Sequence, residues 1–294
     1  MSTTSPTYAS ARRRTSARPD WRSVAKLAAT YTVLVVGSIL FLIPLIWTVS
    51  TSLKPLDQIF VYPIKWIPEP FVWSNYPDVF RRVPFLQYTI NTIIITTFGV
   101  IGSLLGSSLA GYSFARLRFP GKRWMFRIML ATLMVPGFVT LIPSFIMFKS
   151  FGWLDTYLPI LVPAFFATPY NTFLLRQFFL TIPPELEDAA RIDGASTYRI
   201  FWSIILPLAK PALTTIAIFA FFYYWNEFLG PLIYLQSESK FPISLGISAF
   251  VSEHTNNYAL MMAATTMALI PPLVLFFVAQ RVFIQGVVVT GVKG

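Results

Sequence analysis

Apolar runs long enough to cross a membrane alternate along this chain with short polar stretches. Six runs stand out, at about 27–50, 87–115, 124–148, 157–180, 211–235 and 259–283. A helix needs roughly 17–25 apolar residues to cross the hydrocarbon core, slightly more when tilted. Each run therefore predicts a transmembrane helix. The second is the least clean, with Asn91 and many Ser, Thr and Gly. Pro136, Pro143, Pro163 and Pro169 fall in the third and fourth. They predict kinks within a packed bundle, where neighbours satisfy the freed carbonyls. The stretch 52–86 carries Pro55, Pro63, Pro68, Pro70, Pro77 and Pro84 and reads as extended and turn-rich, with short helical pieces at most. The stretch 236–257 is polar and holds the one histidine, His254, which reads as solvated and without a role.

The charges give these spans a direction. With the N-terminus inside, 17 of the 23 Lys and Arg fall on inner segments and 6 on outer ones. Basic residues are retained on the cytoplasmic side. Both termini and the segment 181–207 are thus predicted to be cytoplasmic. The net charge of +11 is accounted for by topology and calls for no nucleic acid. Residues 1–23 form a predicted disordered basic tail, since 1–20 are rich in Ser, Thr, Ala and Arg. The first apolar run is far longer than a signal-peptide core and lacks a small-residue cleavage site, so it reads as an uncleaved span. The predicted organisation is the tail, 24–86 (first span and outer loop), 87–284 (five helices around 181–207) and a cytoplasmic tail from 285 to 294.

Composition narrows the chemistry. The chain is 55% hydrophobic and 12% charged, against about 25% charged for soluble domains. It has no cysteine, hence no thiol nucleophile, thiolate metal site or disulfide. With one loop histidine and no paired carboxylates outside 181–207, no catalytic or metal-ligating set is visible. Gly121-Lys122-Arg123 lacks the upstream glycine and the Ser/Thr of a phosphate-cradling G-x-x-x-x-G-K-[ST] loop. The reading is a non-catalytic membrane protein.

One polar island interrupts the pattern: Pro183-Pro184-Glu185-Leu186-Glu187-Asp188-Ala189-Ala190-Arg191-Ile192-Asp193-Gly194, then Ile204-Ile205-Leu206-Pro207. Proline is well placed at the start of a helix, acidic residues suit its first turn, and Gly194 stands where a C-terminal cap belongs. A helix of two to three turns is predicted, followed by a second helix from about Ser196 into the fifth span. Ala189 and Ala190 would let another surface approach closely.

This island resembles the coupling segment of binding-protein-dependent ABC importers, whose pattern is E-A-A, three residues, G, nine residues, I-x-L-P. Asp188-Ala189-Ala190, Gly194 and Ile204-Ile205-Leu206-Pro207 match it at every spacing, with Asp188 in place of Glu. The stretches Trp66-Ile67-Pro68, Asn75-Tyr76, Asn91-Thr92, Phe151 to Tyr157, Phe173 to Phe179, Trp225-Asn226-Glu227-Phe228 with Pro231-Leu232, and the end from Gly286 are similar to MalG-type carbohydrate permeases. The resemblance covers about residues 50–294. It implies an all-α integral membrane fold with the MetI-like, type I importer architecture.

It further implies a multi-pass permease subunit for a sugar or sugar-like solute, in the plasma (inner) membrane of a bacterium or archaeon. The partners would be a second permease, making a heterodimer, two copies of a cytoplasmic ABC ATPase, which bind ATP and Mg, an extracytoplasmic solute-binding protein, and membrane lipid. This chain itself would carry no cofactor. The ATPase-coupling residues would be Glu185, Glu187, Asp188, Ala189, Ala190, Asp193, Gly194, Ile204, Leu206 and Pro207, with Asp188 or Glu187 as an ion-pairing partner. The tail Gly291, Val292, Lys293 and Gly294 would reach the ATPase interface, and 236–257 the binding protein. Tyr223, Tyr224, Trp225, Asn226 and Glu227 are candidates for the solute pathway. Glu227, the one acid placed within a span, reads either as facing a polar cavity or as a hydrogen-bond partner between helices. An ion-gradient-driven secondary transporter of small polar solutes is the alternative. It would need an inverted repeat or a second buried acid, and it leaves the island unexplained.

Overall fold

The computed structural model describes residues 21–252 and 255–291. Residues 1–20, His254 and Val292–Gly294 lie outside the described residues, whereas Trp21–Ser23, assigned above to the disordered tail, are already helical. The chain divides into a unit ending at Trp47 and a second from Thr48 onward. The first consists of most of α1 (Trp21–Ser52), an apolar helix with exposed Val33 and Phe41.

In the second unit the chain leaves α1 through a proline-rich stretch with a 3-10 turn at Leu56–Gln58 and the short helix α2 (Asn75–Arg82). Buried Asn75 holds this stretch by donating to the carbonyls of Ser52 (2.8 Å) and Lys54 (3.1 Å). Next comes α3 (Phe85–Arg116), 32 residues without an internal proline. Its buried face is mostly small or polar: Asn91, Thr92, Thr96, Gly99, Gly102, Ser103, Ser107 and Gly111. Small residues allow close helix approach where lipid supplies no hydrophobic drive between helices. The polarity that made this run the least clean in sequence is thus the mark of the central helix.

Several spans are broken. The predicted run 124–148 is two helices, α4 (Lys122–Ala131) and α5 (Gly137–Ser150), whose axes with the intervening 3-10 turn differ by 104°. The break falls at Pro136, which caps α5, whereas Pro143 is accommodated within it. The run 157–180 is α6 (Leu158–Phe165) and α7 (Pro169–Thr181), separated by extended residues around Thr168. Then come α8 (Glu185–Ile192), α9 (Thr197–Ile200), a π-helical turn Phe201–Ile205 and α10 (Leu206–Leu208). The run 211–235 is not one helix: α11 (Lys210–Trp225) stops and α12 (Leu229–Tyr234) restarts after three residues. The chain continues through a 3-10 turn at Glu238–Lys240, α13 (Ile243–Ser248) and an antiparallel pair, β1 (Val251–Ser252) and β2 (Thr255–Asn256), to α14 (Tyr258–Gly291).

Two cores flank α3 at its ends. At one, Tyr112, Leu175, Phe179, Ala190, Ile200, Phe201, Ile205 and Ile216 pack together; at the other, Val79, Phe85, Tyr88, Trp225, Ile243 and Leu260 do. The first sets α8 in place, and the second holds the polar segment that precedes α14.

Candidate functional site

Helix α8 ends as its sequence dictates. Gly194 adopts φ +80°, the left-handed conformation that costs glycine nothing. Its N–H reaches the Arg191 carbonyl at 3.0 Å and the Ala195 N–H reaches the Ala190 carbonyl at 2.9 Å. This pair of bonds is the Schellman cap. The next helix starts with Ser196 Oγ accepting from the Arg199 N–H at 3.3 Å.

The two faces of α8 differ. Glu187 and Ala190 point inward; Glu185, Leu186, Asp188, Ala189, Ile192 and Asp193 are exposed. Tyr198 and Trp202 continue the exposed surface beyond the turn. Glu187 is therefore not an outward partner for another protein. Its Oε1 lies 2.9 Å from Arg116 Nε at the end of α3, with both side chains nearly buried (4% and 12% exposed). The Arg116 Nε–H points off that oxygen, so the contact is Coulombic rather than an aligned hydrogen bond. Arg191 (3.5 Å) and the Tyr112 hydroxyl (3.3 Å) approach Oε2. Arg116 Nη2 also donates to the carbonyls of Phe179, at 2.8 Å, and Ile182. Asp188 stays outside, 3.5 Å from Arg191. The inner partner was hidden because eight residues of helix do not reveal which face turns in. Ile204 and Leu206 pack partly buried against the core beneath α8, and Pro207 is exposed. The motif thus splits into an outer face, a cap and a foundation.

The second candidate group is only partly brought together. Tyr223, Tyr224 and Glu227 line a cavity of about 560 Å³, together with Ser103, Thr168, Tyr170, Asn171 and Tyr234 and with apolar walls from α6 and α11. Trp225 instead stacks on Phe221 and donates to the Ala268 carbonyl at 3.1 Å. Asn226 is exposed and donates to the Phe222 carbonyl at 2.8 Å. Neither lines the cavity. Glu227 sits in the break between α11 and α12, where Oε1 accepts the Gly230 N–H at 2.8 Å. The carboxylate thus caps α12 locally, rather than bridging two spans through this bond, and lines the cavity. Of the lining residues that sequence reasoning missed, Tyr170 and Asn171 had a signal. Thr168-Pro169 is a helix-start pair inside an apolar run, and it restarts α7 with these polar side chains at the cavity.

The segment 236–257 is not a plain connection. Asn91 Nδ2 donates to the carbonyls of Ser239 and Phe241, both at 2.9 Å. The Tyr88 hydroxyl donates to Glu238 at 2.7 Å, and the Ile243 N–H to Thr92 Oγ1 at 2.8 Å. On the other side Asp155, itself at φ +56°, accepts from the N–H groups of Gln236 (3.0 Å) and Ser237 (2.9 Å), the Ser237 hydroxyl and Lys240 Nζ (2.8 Å). Lys240 first, then Ser237 and Gln236, hold the Asp155 carboxyl well below the usual carboxylate range.

Residues 102–289 match the model of the family described as binding-protein-dependent transport system inner membrane component. The chain is 31% identical over 258 residues to the diacetylchitobiose uptake system permease protein NgcG of Streptomyces coelicolor, covering 86% of this chain and 85% of that one. It is 32% identical to the arabinooligosaccharides transport system permease protein AraQ of Bacillus subtilis, covering 92% and 97%. It is 34% identical to the sn-glycerol-3-phosphate transport system permease protein UgpE of Yersinia pestis, covering 87% and 94%. Its fold is similar to a chain in the crystal structure of a bacterial ABC transporter involved in the import of the acidic polysaccharide alginate, with a TM-score of 0.78, 26% identity and coverage of 94% and 99%. With a helical membrane fold, a matching family model and relatives along nearly its whole length, the chain belongs to the binding-protein-dependent transport system inner membrane components.

Proposed function

We propose that this chain is the permease subunit of an ATP-driven importer of a sugar or sugar-like solute. In this reading it forms half of the translocation pathway and takes work from a partner ATPase through α8. The observation that carries it is the asymmetry of α8. Its inner face is locked to α3 by Glu187 and Arg116, while its outer face offers small and apolar groups, Leu186, Ala189 and Ile192, edged by acids. A helix that only decorated the surface would need no buried ion pair behind it.

The positive-inside bias supports placing α8 and both termini in the cytoplasm. The ATPase would hold ATP and Mg, two copies serving this chain and a second permease. The family description supports a binding protein on the opposite side, against the segment 236–257. The tail Gly291–Gly294 would reach toward the ATPase interface. The names of the relatives favour a carbohydrate. The cavity adds a preference within that class: its lining residues include one carboxylate, tyrosines, Ser103 and Asn171, and no cation. Aromatic walls with a few fixed polar groups suit an uncharged polyhydroxylated solute.

The test is copurification from native membranes, comparing the wild type with Gly194→Asp and Ala189→Arg. Ala189 is exposed, so the second variant leaves the fold intact. A second permease and a soluble ATPase should copurify with the wild type, and the ATPase should be lost from both variants. Recovery of the chain alone under conditions that hold other complexes together, or full retention of the ATPase by Ala189→Arg, would overturn the reading.

A further inference from the structure

A second polar feature lies at the same end of α3 as α8 and takes no part in the coupling argument. Lys122, Arg123 and Arg127 on α4 and Arg176 on α7 line a pocket of about 130 Å³ with Phe114 and Phe126. The cations are built into place. Arg176 Nε donates to the Phe114 carbonyl at 3.1 Å, and its guanidinium lies 4.3 Å from the centre of the Phe126 ring. Lys122 Nζ donates to the carbonyls of Leu117 (2.8 Å) and Ala115 (3.3 Å). Arg127 lies over Trp124, 5.3 Å from its ring centre.

No acid answers this charge. Among the described residues none of these four cations forms an ion pair. The acids at this end lie on α8 and its cap: Glu187 and Asp188 pair with Arg116 and Arg191, and neither Glu185 nor Asp193 pairs with any of the four cations among the described residues. Four cations gathered with no counter-charge repel one another, and an anion in the pocket would relieve that.

The rest of α4 indicates which anion. No residue of this helix is buried in the protein, and Trp124, Met125 and Ile128 are exposed next to the cations. The helix does not continue straight into α5. A cationic first turn followed by exposed apolar residues and a tryptophan is the profile of a helix resting where headgroups meet acyl chains. We propose that this pocket binds the phosphate of an anionic phospholipid headgroup, with the acyl chains lying along the apolar side of α4. Basic pockets between membrane helices recognise lipid headgroups in this way. Arg176 supplies a planar fork for the phosphate oxygens, and Arg123 and Arg127 close the open side.

The test uses the intact complex extracted from native membranes and read by native mass spectrometry. It is titrated separately with phosphatidylglycerol, with phosphatidylcholine of the same acyl chains, and with inorganic phosphate. The wild type should prefer phosphatidylglycerol. The Arg123→Gln/Arg127→Gln variant should bind it on the order of 10- to 30-fold more weakly, since each cation near the headgroup contributes roughly 1 kcal/mol. The Arg123→Lys/Arg127→Lys variant should keep most of the preference. Equal binding of the two lipids, or a preference that survives the Gln variant, would overturn the proposal. So would binding of inorganic phosphate without phosphatidylglycerol, which would make the ligand a free anion. Loss of the ATPase from the Gln variant with its lipid preference intact would make the cluster a protein contact and would overturn it too.

Discussion

The ion pair behind α8 gives the sharpest test of how this protein transmits force. Consider Glu187→Met. It leaves the Arg116 guanidinium nearly buried, with the carbonyls of Phe179 and Ile182 as its remaining partners. Removing one member of a buried pair costs about 3–5 kcal/mol. Because two carbonyls still hold the cation, the lower end applies, about 3 kcal/mol. For a chain of this size that corresponds to a fall of roughly 6–12 °C in melting temperature. Arg116→Met strands the carboxylate with Arg191 and Tyr112 and should cost at least as much. The double variant Arg116→Met/Glu187→Met strands no charge. It loses only the bonds to two carbonyls, about 1–2 kcal/mol, and should be more stable than either single variant. The coupling should therefore be on the order of 3–5 kcal/mol, read from melting curves of the purified complex. ATP hydrolysis measured in parallel separates structure from transmission. The double variant should stay assembled, yet respond less to binding protein loaded with solute, because α8 is no longer fastened to α3. Additive single effects, or a destabilised double variant with normal coupling, would refute the argument.

Other consequences are simpler to check. Gly194→Ala meets no neighbour, so it should cost about 1 kcal/mol from the left-handed backbone alone, and Gly194→Asn less, as thermal melts would reveal. Gly246→Ala is different in kind: the added carbon would sit 2.2 Å from the Tyr88 ring, so α13 must be displaced, and protease accessibility of 236–257 should rise sharply. Asp155, with its lowered carboxyl pKa, stabilises the fold fully at pH above the ordinary carboxylate value of about 3.9 and progressively less as pH falls below it. The difference in melting temperature between wild type and Asp155→Asn should be constant from pH 8 to pH 5 and narrow only below about pH 4. Glu227→Gln keeps an oxygen for the Gly230 N–H and should melt normally, while solute uptake by the reconstituted complex should fall if the carboxylate meets the solute.

What was legible in the sequence follows the range of the forces involved. Spans were found because a continuous apolar run is a local property, and α8 with its Gly194 cap was found because capping chemistry is local as well. The breaks at Pro136 and Thr168 lay within the reach of proline rules, although sequence predicted kinks rather than a 104° turn. The break after Trp225 was not legible, because it depends on Glu227 capping α12 and on Trp225 reaching Ala268. Glu187 was misplaced for the same reason. Its partner sits at the end of another span, and an acid in a first helical turn already has a sufficient local explanation in the helix dipole. The anchoring of segment 236–257 was not legible, because the partners of its residues, Asn91, Tyr88 and Asp155, are distant in the chain.

These distant contacts share a member. At one end of α3, Arg116 holds α8 and the chain after α7. At its other end, Tyr88, Asn91 and Thr92 hold the segment that leads into α13. Between these ends α3 is one helix without proline, about 48 Å long at 1.5 Å per residue. Ser103 and, through its glycine face, Tyr224 place the cavity against its middle. The spans α4–α5, α6–α7 and α11–α12 are divided by breaks at Pro136, Thr168 and Asn226–Phe228, where backbone torsions absorb displacement; α14 is continuous but, among the described residues, has none in the core beneath α8. A push on α8 that reached α5 or α11 would be dissipated at those breaks, whereas α3 has none. On the proposed reading, displacement of α8 would reach the cavity and the segment 236–243 along α3, and a partner bound at either end of that helix would act on the same continuous element.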